Sequence, residues 1–261
     1  MENTTLNTIR QHIIDNEQQP TNPYLDIKGN VTIGTGFKID REDAFAALPL
    51  VNEDTGKPST EAEKRQAWNI MQRESERAIK AKDLNKTAEF FEKFTNVRMP
   101  KAEQDKRLDR EIAERVDKIK NDKDVGAEAW EKLTDGQKAV AVDIHYANGS
   151  LDDFPSYKKA MKTGDAEAMA RESTFFTDSK KGLRDLGRLA NNRAAVTGED
   201  LGVAQKNLEQ QFNKQKAKPS ENSETIEGQT GEGHVKGGQG DDDLSPERKK
   251  LVEDLTKQDN P

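Results

Sequence analysis

"EQQPTNPYLDIKGNVTIGTGF" occupies Glu17 to Phe37 and brings one Glu, one Asp and three Gly into a single short stretch. Val31 and Ile33 alternate with Thr32 and Gly34, the period of a strand with one buried face, and "KGN" supplies the turn before it. Upstream, Leu6, Ile9, Ile13 and Ile14 stand at helical spacing. The order is therefore an amphipathic helix over about 5–16, Glu17 at its end, and a small antiparallel hairpin sheet.

This order places chemistry. Breaking a glycosidic bond takes a proton donor on the leaving oxygen and a second group on the other side of the sugar. Two carboxyls serve when their environments differ. Glu17 leaves an apolar-faced helix, whereas Asp26 sits in a polar turn beside Gly29 and Asn30. Thr32 points to the strand face opposite Val31 and Ile33, where its hydroxyl can help Asp26 hold a water. Gly29 permits the turn, and Gly34 and Gly36 keep the floor low for an approaching polymer. A Glu and an Asp nine apart carry no weight alone in a chain with 49 acidic residues. A solvent-exposed hairpin after a helix has the same ingredients.

The full spacing adds weight. Eight residues separate Glu17 from Asp26 and five separate Asp26 from Thr32. Tyr24 lies two before Asp26, Gly29 three after it, and Ile33-Gly34-Thr35-Gly36 follow Thr32. This pattern resembles the phage-type lysozymes of the T-even kind, and pesticin-like bacteriocin domains carry a similar hairpin. The resemblance implies Glu17 as general acid, Asp26 as the residue that orients or activates water, and Thr32 as its helper. It also implies inversion at the anomeric carbon, with the carboxyls about 6.5–9.5 Å apart so that water fits. "LTDGQKAVAVDIHYANG" resembles the family's buried central helix, which implies Tyr146 and Asn148 at the cleft between lobes. "NNRAAVTG" resembles the Asn-Arg-Ala stretch whose Arg pairs with the catalytic Glu, which implies Arg193 as the partner of Glu17, with Arg188 as the alternative. The sequence departs from the family at Phe37, where a structural His tied to an acid on the connecting helix is usual, and at "EQQPTNP", which alters the rim. The close match covers about 25 residues and a looser one another 80 or so.

Beyond the hairpin, residues 54–130 read as an extended, charged helical segment. Thr60 and Glu63 form a capping box and Pro100 can open a further helix, whose charges suit a solvated surface. Residues 133–212 are more hydrophobic. Thr134 and Gln137 form a second capping box, Val140, Ile144 and Ala147 can share one face, and Gly149 can end that helix. Helices are expected at "FPSYKKAMKTG", "DAEAMARESTFF", "GLRDLGRLANNRAAVTG" and "EDLGVAQKNLEQQFNK". Trp68 and Trp130 fit core positions better than sugar platforms, and His145 fits a buried helix. From 213 to 261 there is no Phe, Trp or Tyr, and the composition is Gly-, Ser- and acid-rich, so this segment is expected to be a disordered tail, with a short helix capped by Ser245.

Composition bounds the rest. A net charge of −7 argues against a general nucleic-acid binder. There is no cysteine, and His12, His145 and His234 lack ligand spacing, so neither a metal nor another cofactor is expected. No secretory signal and no stretch approaching the ~20 apolar residues of a membrane span is visible.

The expectation is an α+β, predominantly helical chain. Residues 1–212 form a lysozyme-like catalytic domain of two lobes, a small hairpin lobe and a helical C-terminal lobe. Its expected substrate is peptidoglycan, cut at the β-1,4 bond between N-acetylmuramic acid and N-acetylglucosamine. The alternatives are a lytic transglycosylase and a non-catalytic wall-binding module. The chain would be made in the cytoplasm and would act on the wall after release or through a delivery partner, as a phage endolysin, bacteriocin or effector.

Overall fold

The computed structural model describes residues 2–173, 176–178, 183–184 and 186–217. The architecture is α+β and mostly helical, with small antiparallel sheets.

Helix α1 (Asn3–Glu17) buries Ile9 and Ile13 and lies along α7 (Asp135–Asn148). The hairpin sheet follows with β1 (Tyr24–Leu25), β2 (Val31–Ile33) and β3 (Phe37–Lys38). Thr32 faces Tyr24 on one side and Lys38 on the other, and Ile33 faces Phe37. A short α2 (Glu42–Ala46) sets Phe45 against Trp68, with ring centroids 5.6 Å apart.

The middle segment is more than solvated helix. Its α3 (Glu61–Ala81) starts at the predicted capping box, with both reciprocal bonds formed. The short α4 (Ala88–Phe91) and one turn of 3₁₀ helix lead to α5 (Lys101–Asn121). Strand β4 (Val51–Asn52) pairs with β5 (Val97–Arg98), so the chain leaves for α3 and returns before α5 at one place. Helix α5 buries Gln104, Leu108, Ile112, Val116 and Ile119. That row repeats every four or three residues and forms a core face, which the many flanking charges hide in the sequence.

Helix α6 (Ala127–Lys132) buries Trp130, and Trp68 is likewise core. Helix α7 starts at its predicted capping box, Thr134 with Gln137, and ends at Gly149 in the left-handed conformation. It is buried on nearly every side from Ala139 to His145, rather than on one face, and Ala147 is exposed. Helices α8 (Pro155–Thr163) and α9 (Ala166–Glu172) follow. The helix expected through "DAEAMARESTFF" stops at Glu172. Phe176–Asp178 forms β6 and pairs with β7 (Leu183–Arg184), which delays α10 to Leu186–Thr197. The run of β-branched and aromatic residues here favours a strand over a helix. Helix α11 (Leu201–Ala217) runs past the expected end of the folded part at 212. The rest of the expected tail, Ser245 included, lies outside the described residues.

Gly136 marks a close approach of α7 to α10. A Cβ there would stand 1.9 Å from the carbonyl oxygen of Ala195 in α10. Gly136→Ala therefore pushes backbone against backbone, and its expected cost is about 1–3 kcal/mol or somewhat more, read as a lower urea midpoint.

His145 is buried, and its Nδ1 has no hydrogen-bond partner among the described residues. Burial is the main reason its ring is held below the usual imidazole range. Arg115 and Lys118 add to this, while its own carbonyl and Asp152 oppose it. An unfolded chain takes up this proton as pH falls through about 6.5, whereas the folded chain resists until lower pH. Stability from this group is full above that value and is lost on acidification below it. His145→Gln should flatten that part of the urea-midpoint profile.

Candidate active site

Glu17 is the last residue of α1, and its side chain is 28% exposed. The apolar side of α1 packs on α7. Its polar edge meets α10, where His12 Nε2 lies 2.9 Å from Asn192 Oδ1 and Asn191 Nδ2 donates to Asn16 Oδ1 at 2.8 Å. Helix and carboxyl thus share one support. Gln18, a non-glycine residue with φ 63° and ψ 178°, turns the chain immediately after Glu17. Such a conformation costs on the order of 1–3 kcal/mol and persists only where the surroundings impose it.

Arg188 holds Glu17. Its Nη1 donates to Glu17 Oε1 at 2.6 Å, while Nη2 and Nε donate to Asp143 Oδ1 at 2.6 Å and Oδ2 at 3.0 Å. The fork on Asp143 is bidentate, the geometry that fixes a guanidinium plane. Asp143 is fully buried in α7. Burial opposes the charge on Arg188, but Asp143 and Glu17 outweigh it and hold the guanidinium above its ordinary range.

Arg193, expected as the partner of Glu17, instead binds Glu199 at 2.7 Å and Glu167 at 3.1 Å. The reason is helical phase. Five residues along α10 turn the side chain by about 140°, so Arg188 and Arg193 face different neighbours. The alternative, Arg188, makes the contact.

Asp26 closes its own turn. Its Oδ1 accepts from Lys28 N at 2.9 Å and Asn30 N at 2.7 Å, and its Oδ2 accepts from Asn30 Nδ2 at 2.8 Å. Gly29, at φ +78°, packs so closely that a Cβ would meet Ile79 Cδ1 at 3.1 Å and Leu84 Cδ2 at 3.2 Å. Ser75 Oγ donates to Gly29 O at 2.6 Å. Thr32 is buried in the central strand, with its Oγ1 donating to Asn30 O at 3.1 Å.

Two tyrosines pin the glycine turn. Tyr24 donates to Gly34 O at 3.2 Å, and Tyr146 donates to Thr35 O at 2.6 Å. Burial, reinforced in Tyr24 by Glu17, raises both phenols, that of Tyr146 to about 12. Both therefore serve as neutral donors at ordinary pH. Gly34, at φ +62°, has no room for a Cβ, which would stand 2.9 Å from Gln104 Oε1 and 3.1 Å from Phe37. Phe37 is buried, with the Arg107 guanidinium 4.5 Å from its ring centroid. A cation–π contact thus ties Phe37 to α5.

Glu17, Tyr24, Asp26, Thr32 and Gly36 line one cavity of about 360 Å³. The same cavity is also lined by Leu84, Asn85, Lys86 and Ala88, from the connection between α3 and α4. No described lining residue comes from 133–212, so the cavity differs from the expected cleft between lobes. Tyr146 acts beneath the hairpin. Asn148 is exposed and donates to Ile144 O of its own helix at 2.9 Å, away from the lining. Gly34 supports the turn, and Arg193 lies elsewhere.

Comparison with known proteins finds neither a family model nor a curated sequence that matches this chain. The assignment therefore rests on residues and geometry. Among the described residues, no cluster of His, Asp and Glu could hold a metal ion, and no helix is long and apolar enough to cross a membrane.

Sequence reasoning missed Asp143, the hold of Asn30 on the Asp26 carboxylate, and the Leu84–Ala88 wall. Asp143 carried a signal: an acid inside the apolar run "VAVDI" requires a buried cation. Asn30 carried one too, four residues after Asp26 in a tight turn. The wall carried none, because its approach to the hairpin is long-range.

Proposed function

We propose that this chain is a lysozyme-type glycoside hydrolase that cuts the β-1,4 bond between N-acetylmuramic acid and N-acetylglucosamine in peptidoglycan. The lysozyme-like two-lobe fold belongs to the same proposal. The observation that carries it is the convergence of Glu17, Asp26 and Thr32 on one cavity, with Glu17 tethered through Arg188 to buried Asp143. Glu17 protonates the leaving oxygen. Asp26, immobilised by three hydrogen bonds, directs a water held between its Oδ2 and the Thr32 hydroxyl onto the anomeric carbon. A fixed carboxylate suits this role because it needs no reorganisation when the water attacks. No metal or other cofactor enters the scheme. The protein acts where wall polymer is accessible, after release or delivery from the cell that makes it.

A second reading has its own support. The three bonds on Asp26 are also what a turn-closing Asp makes, which leaves Glu17 to act alone as in a lytic transglycosylase. Mass spectrometry of soluble products from purified peptidoglycan separates the two. Muropeptides with reducing muramic ends are expected. Anhydro ends would assign the transglycosylase reaction, and no products from folded protein would leave a wall-binding module.

A further inference from the structure

The geometry points to Lys86 as a specificity-determining residue that reads a carboxylate on the substrate from the α3–α4 wall of the cavity that Glu17 and Asp26 also line. This rests on the proposed action on peptidoglycan and names the feature of that polymer the site selects.

The cavity lining has two parts of different origin. One carries the carboxyls of Glu17 and Asp26, and the other is the connection between α3 and α4. Lys86 is the cationic residue among the described lining residues. An anionic substituent is repelled by the Asp26 carboxylate and attracted to the Lys86 ammonium, which favours one orientation of a carboxylate-bearing glycan in the cavity. Stem peptides supply such carboxylates along the wall polymer, whereas a plain N-acetylglucosamine polymer has none.

The wall is built to hold its position. Lys82, left-handed at φ 52°, ends α3, and Asp83 N donates back to Ala78 O at 2.9 Å. Leu84 packs against Gly29 of the hairpin, close enough to exclude a Cβ there. Asn22 Nδ2 donates to Ala88 O at 2.8 Å, so the far end is tied to the segment before β1. Between these anchors, Lys86 Nζ lies 2.8 Å from Asp83 Oδ2 and 5.4 Å from the Phe90 ring centroid. The contact with Asp83 steadies the ammonium without using it up. An ammonium has three donors, and a half-exposed pair of this kind is weak enough to share. A preorganised cation costs less ordering on binding than a mobile one.

The test uses the full chain and two forms of one polymer: purified peptidoglycan with free stem-peptide carboxyls, and the same material with those carboxyls converted to amides. Lys86→Met keeps the apolar stem over Phe90 and removes the charge, and Lys86→Arg restores it. The expected result is that Lys86→Met raises KM on the free-carboxyl polymer roughly tenfold, the size of one charge-assisted hydrogen bond, with kcat little changed. On the amidated polymer it should match the unaltered protein, and Lys86→Arg should recover most of the difference. An equal effect on both polymers, or none on either, overturns the inference. If the unaltered protein cuts neither polymer, hydrolysis fails as a function, and co-sedimentation with the same two materials still decides the role of Lys86. A preference for the free-carboxyl form that is lost in Lys86→Met upholds it. The same binding to both forms overturns it.

Discussion

Arg188→Met should lower the free energy of unfolding by about 3–5 kcal/mol, the usual consequence of stranding one member of a buried ion pair. Asp143 has no exposed surface, and both of its carboxylate oxygens are bound by Arg188. Without the guanidinium, a charge remains inside α7 among Val140, Val142 and Ile144 with its main partner gone. Glu17 loses its tether at the same time, so activity on peptidoglycan should fall as well. A second variant separates the two effects. Asp143→Leu combined with Arg188→Met exchanges the pair for apolar groups, which commonly restores stability, yet it returns nothing to Glu17. The expected pattern is a urea midpoint that drops in the single variant and largely recovers in the double variant, with turnover low in both. Recovery of turnover together with stability would show that Arg188 supports the fold and does not position Glu17.

Glu17→Gln should reduce turnover by about a hundred- to ten-thousand-fold, the contribution of a positioned general acid. It should leave the urea midpoint nearly unchanged. The glutamine keeps a carbonyl oxygen that can accept from Arg188, so the link between α1 and α10 survives while the transferable proton is gone. The carboxyl is partly exposed, so its replacement leaves no buried group unpaired. Measuring released reducing ends alongside a denaturation curve tests both halves. Full activity in a folded Glu17→Gln protein would remove Glu17 from the chemistry and return the hairpin to an ordinary surface element.

Much of this was legible locally. Both capping boxes form as read, because each needs only residues three apart and a favourable helix start. The hairpin pairs as read around its left-handed glycine, but Val31, Thr32 and Ile33 are all buried, so the expected single buried face does not hold. Other features depend on what surrounds an element. Leu108, Ile112 and Val116 were visible in α5, but whether that narrow row meets a core or solvent depends on α1 and α7. The choice between Arg188 and Arg193 depends on the rotational phase of α10, which is set partly by how near Gly136 lets it approach α7. Asp143 stood out as an acid inside an apolar run, but which cation it meets depends on the packing of α10. The Leu84–Ala88 wall was the least legible, since residues 46 or more positions beyond the hairpin gave no sign that they would face it.

The pairing of β4 with β5 makes the α3–α4 excursion a cassette. Asn52 and Val97 are strand neighbours, so the excursion leaves and returns at one place, and Trp68, Ser75 and Leu84 dock it on the rest of the fold. Its inner surface supplies one bank of the cavity, while Glu17, Arg188 and Asp143 belong to the frame that carries it. Under the proposed function, exchange of that cassette is a route by which one frame can be fitted to walls of different chemistry. A library confined to the cavity-lining positions of 53–96 would sample that preference while leaving Glu17, Arg188 and Asp143 unaltered.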